Sequence, residues 1–223
     1  MSEAIRQALP MAIAIALSPF PIIGVVLMLG TPRARQNSLG FLAGWIAGVA
    51  ALGAAVLLVS SGAGASDEGE PASWPSVAEL ALGVFLVVLA AKQWRGRSGD
   101  GEGAATPSWM ESVDHFRAPR AAGLAILLSV VNPKNLLLVV AGAAAIAQSG
   151  ASTGQQAGAL VIFVAIASLG PGVPIGIYFA LGERSKPILD EIRGWMARNN
   201  GAVLAVVCLL IGVKLIGDGI AGL

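Results

Sequence analysis

The sequence predicts an all-α polytopic membrane protein: six transmembrane helices as two inverted three-helix repeats, with broken helices at the midplane. Three observations carry this expectation. Of 223 residues, 56% are hydrophobic and only 12% are charged, about half the ~25% of a typical soluble domain. Apolar runs near the ~20 residues that cross a bilayer recur six times along the chain. Polar–proline pairs interrupt the first and fourth runs at matching positions, a pattern of transporters built from inverted repeats.

The same totals exclude other classes. A soluble enzyme, a disordered linker and a secreted disulfide scaffold do not fit this composition. A net charge of +1 gives no bulk attraction to nucleic acid. One cysteine, Cys208, cannot form an internal disulfide, and one histidine, His115, cannot build a metal cluster. No metal and no cofactor are therefore expected. An outer-membrane barrel would need ~10-residue alternating segments, which are absent here. Paired catalytic carboxylates and phosphotransfer motifs are missing as well, so the expectation is not an enzyme.

The runs lie near residues 8–29, 38–60, 76–92, 120–146, 156–181 and 200–221. The first carries Glu3 and Arg6 ahead of it and Pro19 and Pro21 within it, so it reads as a span rather than a cleaved signal peptide. Residues 1–92 form the first three-helix repeat, 93–119 a cytoplasmic linker with an amphipathic helix, and 120–223 the second repeat. Within the linker, 95–107 is rich in glycine and polar residues and reads as flexible. Charge fixes the orientation. The loops after runs one, three and five hold eleven of the fourteen Lys and Arg residues: Arg33, Arg35, Lys92, Arg95, Arg97, Arg117, Arg120, Arg184, Lys186, Arg193 and Arg198. The loop after run two instead carries Asp67, Glu68 and Glu70. The positive-inside rule makes the basic loops cytoplasmic and puts both termini outside a bacterial plasma membrane.

An odd number of spans per half turns the second copy upside down. Setting Ser18-Pro19 over Asn132-Pro133 aligns AIALSPFPIIGVV with LSVVNPKNLLLVV. Two segments, SWMESVDHFRAP and KPILDEIRGWMARNN, repeat apolar residues at helical spacing and read as helices on the membrane surface, or packed on neighbouring spans. Gly40, Gly44 and Gly48 form a stripe of small residues that allows close contact, either within the chain or across a homodimer seam.

Three breaks point to a shared polar cavity: Ser18-Pro19-Phe20-Pro21, Asn132-Pro133-Lys134-Asn135, and Gly170-Pro171-Gly172-Val173-Pro174. Proline lacks a donor and clashes with the preceding turn, freeing carbonyls that hydrocarbon cannot satisfy. Lys134 stands about fourteen residues into the fourth run, near the midplane at ~1.5 Å per residue. A cation there costs about 2.5–3.5 kcal/mol on insertion scales and usually acts on substrates or ions. The competing reading is a structural plug that caps carbonyls freed by Pro19 or Pro171. Asp and Glu are absent from the run centres, so the partner of Lys134 is expected to be an anion or polar headgroup. If protons are coupled, Lys134 is the one candidate. Lys214 and Asp218, four apart, read as an ordinary pair, and Cys208 as a small core residue.

The stretch PSWMESVDHFRAPRAAGLAILLSVVNPKNLLLVVAG, with SPFPI, LGPGVPI and GWMARNN elsewhere, resembles the GAP family, the peptidoglycolipid- or sulfolipid-addressing proteins of the lysine exporter superfamily. The resemblance covers nearly the whole chain. It implies export of envelope glycolipids or peptidolipids across the inner membrane of actinobacteria, alongside larger lipid transporters and synthases. It carries Lys134, Asn132 and Pro133 over as the site, with Pro19 and Pro21 as pseudo-symmetric partners. Two other functions stay open: amino-acid-type efflux, and a non-transporting scaffold for a lipid synthesis or export complex.

Overall fold

A computed structural model describes residues 1–63, 74–95 and 116–221, and these residues are helical almost throughout. In chain order the helices are α1 (Ser2–Ala16), α2 (Pro19–Leu29), α3 (Ala34–Ala63), α4 (Trp74–Arg95), α5 (Ala118–Val130), α6 (Pro133–Gln148), α7 (Thr153–Ala167), α8 (Leu169–Leu181) and α9 (Ser185–Ala221). Proline at the first helical position starts both α2 and α6, where its missing N–H costs nothing. Glycines at positive φ, Gly150 (68°) and Gly182 (55°), turn the chain after α6 and α8. Ser152 and Gln155 form a capping box that opens α7.

The first and fourth apolar runs are indeed broken. α1 and α2 meet at 48°, and α5 and α6 at 68°. Two helical stretches, Ala34–Ser60 and Leu169–Ala221, are long and apolar enough to cross a membrane, and the bent pairs raise this to four if each is one span. Large apolar side chains cover the outside: Leu58, Val59, Val131, Val161 and Leu210 are each more than 60% exposed. An outer surface of this kind belongs in hydrocarbon. The protein is membrane-embedded.

Glycines set the closest helix contacts. α3 and α5 run parallel, with Gly40 on Ala118, Gly44 on Ala122 and Gly48 on Ser129. The stripe that the sequence offered to internal packing or to a second copy thus packs inside the chain. α4 and α9 run antiparallel, with Gly83 against Gly212 and Gly219 against Ser76 and Leu80. α1 runs parallel to α7, with Met1 beside Gly158 near the start of both and Ile5, Ala8, Ala12, Ala159, Phe163 and Ile166 lining a small cavity between them. Asn37 Nδ2 donates to Phe116 O (3.1 Å), and the Arg35 guanidinium sits 5.3 Å from the Phe179 ring. These contacts bring the starts of α3 and α5 and the end of α8 to one end of the bundle, with Arg33, Arg35, Arg117, Arg120 and Arg184.

Two sequence readings change in detail. KPILDEIRGWMARNN is helical, but it runs without interruption into the last span as part of the 37-residue α9. The glycine–proline motif of run five lies just after the point where that run divides, at Ser168 between α7 and α8. α7 ends at Ala167 with Ser168 as its cap, Pro171 occupies the first turn of α8, and Pro174 sits inside α8. Residues 96–115, which include most of SWMESVDHFRAP and His115, and the acidic residues Asp67, Glu68 and Glu70 lie outside the described residues. Lys214 and Asp218 pair as expected, and Cys208 is a buried free thiol.

Candidate functional site

The two broken helices meet at Lys134. The break after α1 frees a carbonyl, because Ser18 N–H turns to Ile15 O (3.0 Å) instead of reaching back four residues to Ala14 O. Lys134 Nζ donates to that Ala14 carbonyl at 3.0 Å, and to Ser18 Oγ at 3.0 Å. Ser18 Oγ donates onward to Asn135 Oδ1 at 2.7 Å. Asn135 Nδ2 then donates to Leu128 O at 2.9 Å, in the last turn of α5. In the register that sets Ser18 over Asn132, Ala14 lies over Leu128. The carbonyl four residues before each break is therefore capped by a side chain from the first turn of α6.

Burial is nearly complete. Lys134 is 6% exposed, Ser18 3% and Asn135 0%. Among the described residues no carboxylate pairs with Lys134, so its positive charge is hydrogen-bonded but not neutralised. Cys208 of α9 lies within electrostatic reach of the ammonium. Asn132 caps α6, its Oδ1 accepting from Lys134 N–H at 3.1 Å.

The remaining expected residues divide. Pro19 and Pro21 are buried beside this junction, whereas Pro133 is exposed on the outer side of its break. Gly170 packs on the end of α1, where a Cβ would lie 2.3 Å from Ala16 O. Pro171 and Pro174 are buried within α8, and Gly172 is half-buried with open space beside it. The third motif thus touches the first break through Gly170, but its prolines contribute no hydrogen bond to the lysine network.

Sequence reasoning missed Trp45. Pro171 cannot donate to Ala167 O, and Trp45 Nε1 fills the gap at 3.2 Å. Its ring is fully buried and stacked on Phe41, centroids 6.5 Å apart. A tryptophan inside an apolar run needs an acceptor for its N–H, and a proline four residues after a carbonyl frees one; that combination was the available signal. Trp45→Phe is expected to keep the packing, orphan Ala167 O and lower stability by about 1–3 kcal/mol. Thermal unfolding in detergent checks this.

The class defined by this fold and site is a helical membrane protein with two broken helices joined through a buried cation. The chain belongs to the family described as Sap, sulfolipid-1-addressing protein, whose model matches residues 8–221. Neither the curated proteins nor the solved structures gave a match. The family's description ties it to the addressing of a lipid.

Proposed function

We propose that this protein exports envelope glycolipids across the plasma membrane, or assists their export, through the junction around Asn132, Pro133 and Lys134. One observation carries the reading: a buried, unneutralised lysine joins two broken helices in a chain of a lipid-addressing family. The N-termini of α2 and α6 both open at this junction, and each adds partial positive charge beside the ammonium. An anionic or strongly polar headgroup entering between the helices would take over the bonds that Lys134 makes to Ala14 and Ser18. That exchange would release the end of α1 from α6. Binding energy for the headgroup would thus be coupled to a change at the break, as expected of a gate.

Six spans and an inverted repeat are part of this proposal. α4 supplies 22 residues, enough for one span, while α7 with α8 supplies another. The packing fits a two-fold axis in the membrane plane. Such an axis exchanges the parallel pair α3 and α5 with the parallel pair α7 and α1, and maps α4 onto its antiparallel partner α9. The lysine exporter superfamily, a plasma-membrane location with both termini outside, and association with larger lipid-handling machinery belong to the same reading.

The test compares surface-extractable with total lipids in a strain lacking the gene. The expected result is one lipid class that leaves the surface and persists inside. Unchanged surface lipid would overturn the reading, and loss from both fractions would favour a scaffold for synthesis.

A further inference from the structure

An apolar groove lies between α4 and α9, lined by residues that the lysine network does not use. Near Gly83 and Gly212 the two helices touch backbone to backbone. Toward the end of α4 they enclose a groove of about 400 Å³ lined by Val87, Ala90, Ala91 and Trp94 on one side and by Val206 and Leu209 on the other. A volume of this size lies within the ~300–1,000 Å³ range of ligand pockets. Its walls are apolar for most of their length. Arg95 stands at its mouth, exposed, with no carboxylate partner among the described residues.

We propose that this groove binds one anionic phospholipid of the surrounding bilayer, its acyl chain between α4 and α9 and its phosphate on Arg95. Length supports the match. From Val87 to Arg95 the helix rises ~12 Å at 1.5 Å per residue, close to the ~15 Å depth of one hydrocarbon leaflet. Charge supports it too: the groove is apolar inside and cationic at one end, the complement of an anionic lipid. Lys92, in the same turn as Arg95, adds to the positive end, and Trp94 is of the type that settles at headgroup level. A neutral solute would have no use for the arginine, and a second protein helix would not need a cationic mouth. This site depends on membrane embedding and not on the export reading.

The test uses the full chain purified in detergent with equal amounts of phosphatidylglycerol and phosphatidylcholine, followed by native mass spectrometry. The expected result is one retained phosphatidylglycerol per chain, preferred roughly fivefold over phosphatidylcholine. Arg95→Gln removes the preference. Ala91→Trp and Val206→Trp, both at exposed positions, fill the groove and abolish retention while the unfolding temperature stays at the wild-type value. Equal retention of both lipids would overturn the proposal, as would retention unchanged in the tryptophan variants. A chain that retains no lipid, either because residues 96–115 cover the groove or because a second copy does, would overturn it as well. None of these outcomes bears on export, which the surface-lipid comparison reads separately.

Discussion

Gly44→Ala is expected to unfold well below the wild type, in a thermal-unfolding experiment on purified protein in detergent. The new Cβ would lie 2.3 Å from Ala122 O and 2.6 Å from Ala122 Cα. Both are backbone atoms, so no rotamer change relieves the clash, and α3 and α5 must separate. Overpacking of this kind costs about 1–3 kcal/mol, with larger values where the backbone must move. Separating α3 from α5 also disturbs the contacts of Gly40 and Gly48 on the same stripe. Gly123→Ala is the control: a Cβ there meets nothing within 4 Å. It should stay within about 1 kcal/mol of the wild type, the helix-propensity difference between these residues. Equal loss in both variants would contradict glycine-mediated packing.

Lys134→Met is expected to leave stability within about 1 kcal/mol of the wild type while removing activity. Two opposing effects decide this. Removing the ammonium orphans Ala14 O, which costs about 1–3 kcal/mol. Ser18 Oγ keeps its bond to Asn135 and is not orphaned. Against that cost, the variant no longer holds a cation in hydrocarbon, which relieves about 2.5–3.5 kcal/mol. The terms nearly cancel. The same ledger holds for a plug that only caps Ala14 O, so the two roles are separated by activity: a plug replaced without loss of stability keeps function, whereas a ligand-binding cation does not. A lysine is also an expensive cap for one carbonyl, since an uncharged donor could do the same work. In the proposed function the surplus charge serves the lipid headgroup.

Much of this was legible in the sequence for physical reasons. Ser18-Pro19 and Asn132-Pro133 announce broken helices because proline frees a carbonyl and the adjacent polar residue can cap the next helix. Lys134 stands out because a mid-membrane cation needs a reason. The partner atoms were not legible. Ala14 O and Leu128 O are backbone groups, and nothing in the identity of Ala14 or Leu128 marks them as acceptors. The Gly170-Pro171 motif marks the division of run five at Ser168, between α7 and α8, but the carbonyl that Pro171 frees goes to Trp45, so this third break does not join the lysine network. The continuity of α9 was hidden by Asp190, Glu191, Arg193 and Arg198, whose charges read as a separate surface helix. The helix passes through them because these four charged residues are all exposed and stay solvated without breaking the helix.

The role of Lys134 in export is read in the gene-deleted strain supplied with either the wild-type protein or Lys134→Met at matched levels in the membrane. Surface-extractable and total lipids are then compared. Wild type is expected to restore the missing surface lipid, and Lys134→Met to restore roughly tenfold less or none, the loss expected for one charge-assisted contact. Full restoration by a stably folded Lys134→Met protein would contradict a role for this cation in moving lipid.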